Sequence, residues 1–151
     1  MHWKKGSGIN SELPEYHLSG KKINAGWVTT FNKFAVISEN RRTAIPESVS
    51  NDEASLFGCA VTTGFGVIEN NAKLRMGESI GVLGAGGIGL NIIQAASLSS
   101  AWPIIAVDLY DSRLGLAKKF GATHTINSKK FDSREMIFNI MNGNFLDVFI
   151  D

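Results

Sequence analysis

The chain has 151 residues, 44% of them hydrophobic, with 15 Lys and Arg against 14 Asp and Glu for a net charge of +1. That length fits one domain able to bury roughly 70% of its unfolded surface, and the charge balance leaves no electrostatic footprint for nucleic acid or an anionic membrane. A single cysteine, Cys59, excludes an intramolecular disulfide and fits a reducing, cytoplasmic setting. No apolar run follows the basic Met1-His2-Trp3-Lys4-Lys5-Gly6 start, as a secretion signal would require.

Residues 1 to about 27 are rich in Gly, Ser, Asn and Lys and read as loop. Thr29 to Ser38 is a β-type run with Phe31, Phe34, Val36 and Ile37. Pro46 closes a second short segment ending in Thr43-Ala44-Ile45. Ser50-Asn51-Asp52-Glu53 is a capping box, in which the Ser50 hydroxyl accepts from the Glu53 amide and the Glu53 carboxylate reaches back to the Ser50 amide. The helix it opens carries Ala54, Leu56 and Phe57 and meets Gly58-Cys59, and a second helix runs from about Thr63 to Ala72.

From Ser79 onward, strand and helix alternate. Ile80–Leu83 is a strand, and Gly87–Leu98 a helix with Ile88, Ile92, Ala95 and Ala96 on one side. Pro103–Val107 is the next strand, and Asp111–Phe120 a helix that Gly121 ends. His124–Ile126 is a short strand, Ser133–Met141 a helix and Leu146–Ile150 a last strand. Such repeats call for a parallel sheet with right-handed crossovers, an α/β doubly wound fold. Ile80 to Leu98 is uncharged and about as long as a transmembrane helix, but the glycines in its middle make it strand, turn and helix instead.

Gly84-Ala85-Gly86-Gly87-Ile88-Gly89 is a G-x-G-x-x-G with a strand before it and a helix after it. Asp108 ends the next strand, close to the expected spacing of about 20 residues. This is the context of a Rossmann dinucleotide site. Gly84 permits the tight turn, Gly86 admits a pyrophosphate to the backbone and Gly89 lets the helix pack on the strand. Free amides from Gly87 and Ile88 onward, with the helix dipole, hold the phosphates. Asp108 accepts from the adenosine ribose hydroxyls and repels a 2′-phosphate, and Leu109 beside it brings no compensating charge, so NAD is favoured over NADP. Arg113 either binds a ribose hydroxyl or softens that preference.

Leu56-Phe57-Gly58-Cys59-Ala60-Val61-Thr62-Thr63-Gly64-Phe65-Gly66 closely resembles a segment of the zinc-dependent alcohol dehydrogenases, in the medium-chain dehydrogenase/reductase superfamily. Thr30 to Val36, Val107-Asp108, Ala117-Lys118, Gly121-Ala122-Thr123 and Ile126-Asn127 extend the resemblance over about residues 25 to 151. It implies that Cys59 is a ligand of a catalytic zinc and that Thr63 lines the nicotinamide pocket. It implies three parts: residues 1–45 as the tail of a β-rich GroES-like catalytic domain, 46–78 as connecting helices, and 79–151 as a Rossmann NAD-binding domain lacking its later strands. Two more strands and a dimer edge would follow in the family, so Leu146–Ile150 is expected to be an open sheet edge, an aggregation hazard.

The implied chemistry is hydride transfer between an alcohol carbon and NAD, with zinc as Lewis acid, in a longer protein that forms a homo-oligomer and acts on a small alcohol or carbonyl compound. The chain departs from the family in lacking the second zinc-ligand cysteine, the Gly-His-Glu motif and the four-cysteine loop; with Cys59 alone, zinc is not held tightly. His2, His17 and His124 are not at matching positions and read as surface or loop residues. Alone, the 151 residues are expected to bind NADH weakly or not at all and to oxidise no alcohol. Two alternatives stay open: a zinc-free quinone reductase-like enzyme with Cys59 as a small buried filler, and a non-catalytic NAD-binding module or remnant.

Overall fold

The computed structural model describes residues 16–23, 33–34 and 42–151. The chain divides between Ser48 and Val49 into two compact units.

In the first unit, β1 (Tyr16–Leu18) and β2 (Lys21–Ile23) form an antiparallel hairpin, with Tyr16 opposite Ile23. Ser19 and Gly20 between them have φ of 50° and 75°, the positive sign that a two-residue type I′ loop needs at both central positions. The expectation of loop over residues 1 to 27 therefore misses a hairpin. The expected strand at 29–38 lies outside the described residues except for Lys33 and Phe34, which are exposed and carry no strand. Arg42 to Pro46 take no regular secondary structure.

The second unit opens on α1 (Asn51–Leu56), capped as the sequence predicts. The Ser50 amide donates to Glu53 Oε2 at 3.1 Å, and the Glu53 amide to Ser50 Oγ at 3.2 Å. The Ser50 hydroxyl and amide hold the Glu53 carboxyl below the ordinary glutamate value. The helix does not end at Gly58. A π-helical stretch (Phe57–Val61), α2 (Thr62–Gly66) and a second π-helical stretch (Val67–Ala72) continue it. Gly64 is where this run crosses the next helix: a β-carbon there would stand 2.5 Å from Asn91 Cβ and 2.9 Å from the Ile92 amide nitrogen.

Four parallel strands follow: β3 (Ile80–Leu83), β4 (Ile104–Asp108), β5 (His124–Asn127) and β6 (Val148–Ile150), in the order β5-β4-β3-β6. Between them lie α3 (Gly87–Leu98), α4 (Asp111–Lys119) and α5 (Ser133–Ile140). Gly121, just past α4, has φ +112°, as a helix-ending glycine does. Asp132 caps α5 by accepting from the Arg134 and Glu135 amides.

All five residues of β4 are buried, as a strand covered on both faces must be. Ile104 and Ala106 pack with Val82, Ile92, Ile93, Ala96, Leu114 and Ala117 on one face. Ile105 and Val107 pack with Ile126, Met136, Ile137 and Ile140 on the other. Each fully buried isoleucine contributes about 1.5–3 kcal/mol. Ile88 departs from the expected core stripe of α3. It is 44% exposed and lines a cleft beside the glycine loop. His124 is also unlike a surface or loop residue: it begins β5, half-buried, with Nδ1 2.9 Å from Thr123 Oγ1 and its ring edge-on to Trp102. His17 is exposed on β1, and His2 lies outside the described residues.

Candidate cofactor-binding site

The chain reverses its direction across the sheet between β3 and β6. In open α/β sheets the crevice beyond the strand carboxyl ends at such a point is where ligands bind. A cleft of about 750 Å³ lies there, lined by the glycine loop, Ile88, Ile150, Arg113 and one side of α1 and the following turn.

The loop has the backbone its glycines predict. Gly84 has φ +92° and its amide donates to the Val107 carbonyl at 2.7 Å, tying the turn to β4. A β-carbon on Gly89 would overlap the Gly84 carbonyl oxygen, whereas one on Gly86 or Gly87 would meet nothing within 4 Å. Gly89 thus serves packing, and Gly86 and Gly87 leave an open cradle. Gly86 precedes α3 with no side-chain cap, so the first amides of a 12-residue helix face the cleft with their dipole unopposed.

Asp108 sits directly behind this loop, 5% exposed. Its Oδ2 accepts from the Ala85 amide at 2.8 Å and its Oδ1 from the Tyr110 amide at 2.9 Å. Arg113 Nη1 stands 3.7 Å from Oδ2. Burial pushes the carboxyl up, but the amides of Ala85, Tyr110 and Leu109, with Arg113, outweigh it and hold it below the ordinary aspartate value. Each oxygen keeps a second lone pair, so the carboxylate can brace the loop and still accept from a diol.

Of the residues singled out from sequence, Cys59, Gly84, Gly86, Gly87, Ile88, Gly89 and Arg113 all line the one cleft. Asp108 joins them through Ala85. Thr63, exposed on α2, is not in that lining. Cys59 is exposed among these residues, unlike the buried filler of the zinc-free alternative. Ser55, Leu56 and Ala60 also line the cleft; they follow from the unbroken helix past Gly58, where the sequence predicts a break. Among the described residues no group of three or more His, Cys, Asp or Glu could hold a metal. These residues do not by themselves fit a zinc site. Nor is any helix among them long and apolar enough to cross a membrane.

Comparison with known proteins places this geometry. Residues 87–151 match the family model described as zinc-binding dehydrogenase. Over those residues the chain is similar to the zinc-dependent alcohol dehydrogenases. It is 39% identical over 119 residues to the S-(hydroxymethyl)glutathione dehydrogenase of Photobacterium damsela subsp. piscicida, covering 79% of this chain and 30% of that one. The Haemophilus influenzae enzyme of the same name is 37% identical over the same shares. Among solved structures, an alcohol dehydrogenase zinc-binding domain protein from Burkholderia ambifaria is 37% identical with a TM-score of 0.65, over 71% of this chain and 29% of that chain. Benzyl alcohol dehydrogenase from Acinetobacter calcoaceticus is 40% identical with a TM-score of 0.60, over 65% and 27%. The four parallel strands with their helices are thus a Rossmann-type sheet like that of these alcohol dehydrogenases. The chain spans less than a third of the length of these relatives.

Proposed function

We propose that this chain provides the NAD-binding part of an alcohol dehydrogenase, which passes hydride between an alcohol carbon and the nicotinamide. The carrying observation is the open glycine cradle at the switch point, backed by a buried, amide-braced Asp108. In this reading the amides of Gly87, Ile88 and Gly89 take the pyrophosphate, and Gly86 lets it approach. Asp108 accepts from the adenosine ribose hydroxyls, with Arg113 beside it. Bound there, NAD would supply the hydride acceptor for an alcohol carbon.

Thr63 is proposed to contact the nicotinamide end, and Cys59 to serve as one thiolate ligand of zinc. A single thiol cannot hold that metal tightly, so the described residues account for cofactor binding and not for a metal centre. The exposed position of Cys59 in the cleft favours this reading over a zinc-free relative that would need no cysteine there. The named relatives supply S-(hydroxymethyl)glutathione as one substrate to try beside simple alcohols.

The test is a fluorescence titration of the protein with NADH, followed by an assay of alcohol-dependent NADH formation, which these residues alone are not expected to support. Saturable binding that Gly86→Ala weakens at least about tenfold is expected. Binding that ignores this substitution would place the cofactor elsewhere and reject the reading.

A further inference from the structure

Of the asparagines in the chain, Asn142 alone is followed by glycine. It stands just past α5, where Met141 is the cap and Asn142 and Gly143 turn the chain with φ of 51° and 86°. The Gly143 amide donates to the Phe138 carbonyl at 2.9 Å, and the Asn142 amide to the Asn139 carbonyl at 3.1 Å. These are the paired bonds of a Schellman motif, with asparagine in its left-handed position. The Phe138 ring closes over the turn: a β-carbon on Gly143 would stand 3.6 Å from Phe138 Cζ. Asn142 and Gly143 are otherwise exposed to water.

We infer that Asn142–Gly143 is a deamidation site gated by this cap, so that the chain is modified at the end of α5 when the cap opens. In the reaction the Gly143 amide nitrogen loses its proton and attacks Asn142 Cγ. The new N–C bond closes a cyclic imide as the carboxamide C–N bond breaks, and ammonia leaves. Water then opens the imide at either carbonyl, giving an aspartyl or an isoaspartyl residue, with nothing oxidised or reduced. Glycine favours the attack because it has no β-carbon to crowd its own nitrogen. In the closed cap that N–H is committed to Phe138 and the ring covers the turn, so the reaction waits on local opening. Either product puts a carboxylate at the C-terminal end of α5, where the helix dipole disfavours it. The isoaspartyl form also lengthens the main chain by a methylene, which the paired cap bonds do not accommodate.

The experiment incubates the protein at mildly alkaline pH, in buffer and in denaturing urea, and follows the peptide containing Asn142 by mass spectrometry. The mass gain of OH replacing NH2 is expected at Asn142 and not at Asn139 or Asn144 beside it. It should appear about tenfold faster in urea than in buffer, since the cap bond and the ring are lost together there. Phe138→Ala, which truncates a half-exposed side chain and keeps a good helix former, should speed the reaction severalfold in buffer and leave the urea rate unchanged. Equal wild-type rates in buffer and urea, a buffer rate indifferent to Phe138, or gains spread over Asn139 and Asn144 would each overturn the inference.

Discussion

The Ala85 amide and the Asp108 carboxylate, 2.8 Å apart, join the glycine loop to the end of the neighbouring strand. The carboxylate that would recognise a ribose therefore also fixes the turn that would receive the pyrophosphate. Asp108→Asn separates the two roles poorly, because an amide offers one acceptor where the carboxylate satisfies two donors. The substitution should cost about 1–3 kcal/mol of stability, the range for hydrogen bonds to a buried charged group, and weaken NADH binding as well. Urea unfolding and fluorescence titration of the variant measure the two losses; wild-type stability in D108N would show that the bond braces nothing.

The same carboxylate gives a pH dependence. Its folded pKa lies below the ordinary aspartate value. Its contribution is therefore complete above about pH 4, the unfolded value, and is lost as pH falls through the lower folded value. Asp111 and Asp147 are lowered too, by Lys130 and Asn127 and by Ser79 respectively, and add to the acid loss in the same direction. The stability gap between wild type and D108N should shrink as pH is lowered from about 5 to about 2. A gap constant across that window would assign no titration to Asp108.

Two glycines in one motif should fail in opposite ways. Gly89→Ala puts a methyl against the Gly84 carbonyl, a clash with backbone that should cost about 1–3 kcal/mol. Gly86→Ala meets open space at φ −81°, so stability should hold or rise by up to about 1 kcal/mol while NADH affinity collapses. Thermal unfolding and NADH titration of both variants give the comparison.

Cys59 is exposed on the cleft wall. Iodoacetamide should alkylate it readily, and saturating NADH should slow that reaction severalfold by covering the wall. Mass spectrometry of the labelled peptide over time reads the rate. Identical rates with and without NADH would mean the dinucleotide does not occupy this space.

The nucleotide half was legible because its signals are local. The α3 boundaries follow from a glycine start and an apolar stripe, and both units of the motif, Gly84 to Gly89 and Asp108, fall where their spacing puts them. The first hairpin was obscured by its composition: three-residue strands containing Lys21 and Lys22 look like loop, though Ser19-Gly20 was the available turn signal. From sequence alone the run from Asn51 to Ala72 divides into two helices, because glycine marks helix ends, yet Gly58 meets nothing within 4 Å and the helix passes through it. The cations on the Tyr110 ring, Arg113 and Lys129, could not be read, because Lys129 reaches it from the turn after another strand.

Ser79 and Asp147 stand 68 residues apart in the chain. The Ser79 amide and hydroxyl donate to Asp147 Oδ2 at 2.8 and 2.6 Å, and the Asp147 amide donates to Ser79 Oγ at 2.9 Å. This clasp seats β6 beside β3, and the ring it closes contains every other strand of the parallel sheet and all three of its long helices. Helical turns form within about a microsecond, but a loop of that length must surrender its chain entropy before the clasp returns anything. Arrival of β6 is thus expected to be a late step in the folding of this unit. Until then the outer rim of β3 presents unpaired amides and carbonyls, and the wall of the cleft that Ile150 supplies does not yet exist. A cofactor seated against Ile150 would then wait on the same strand as the completion of folding.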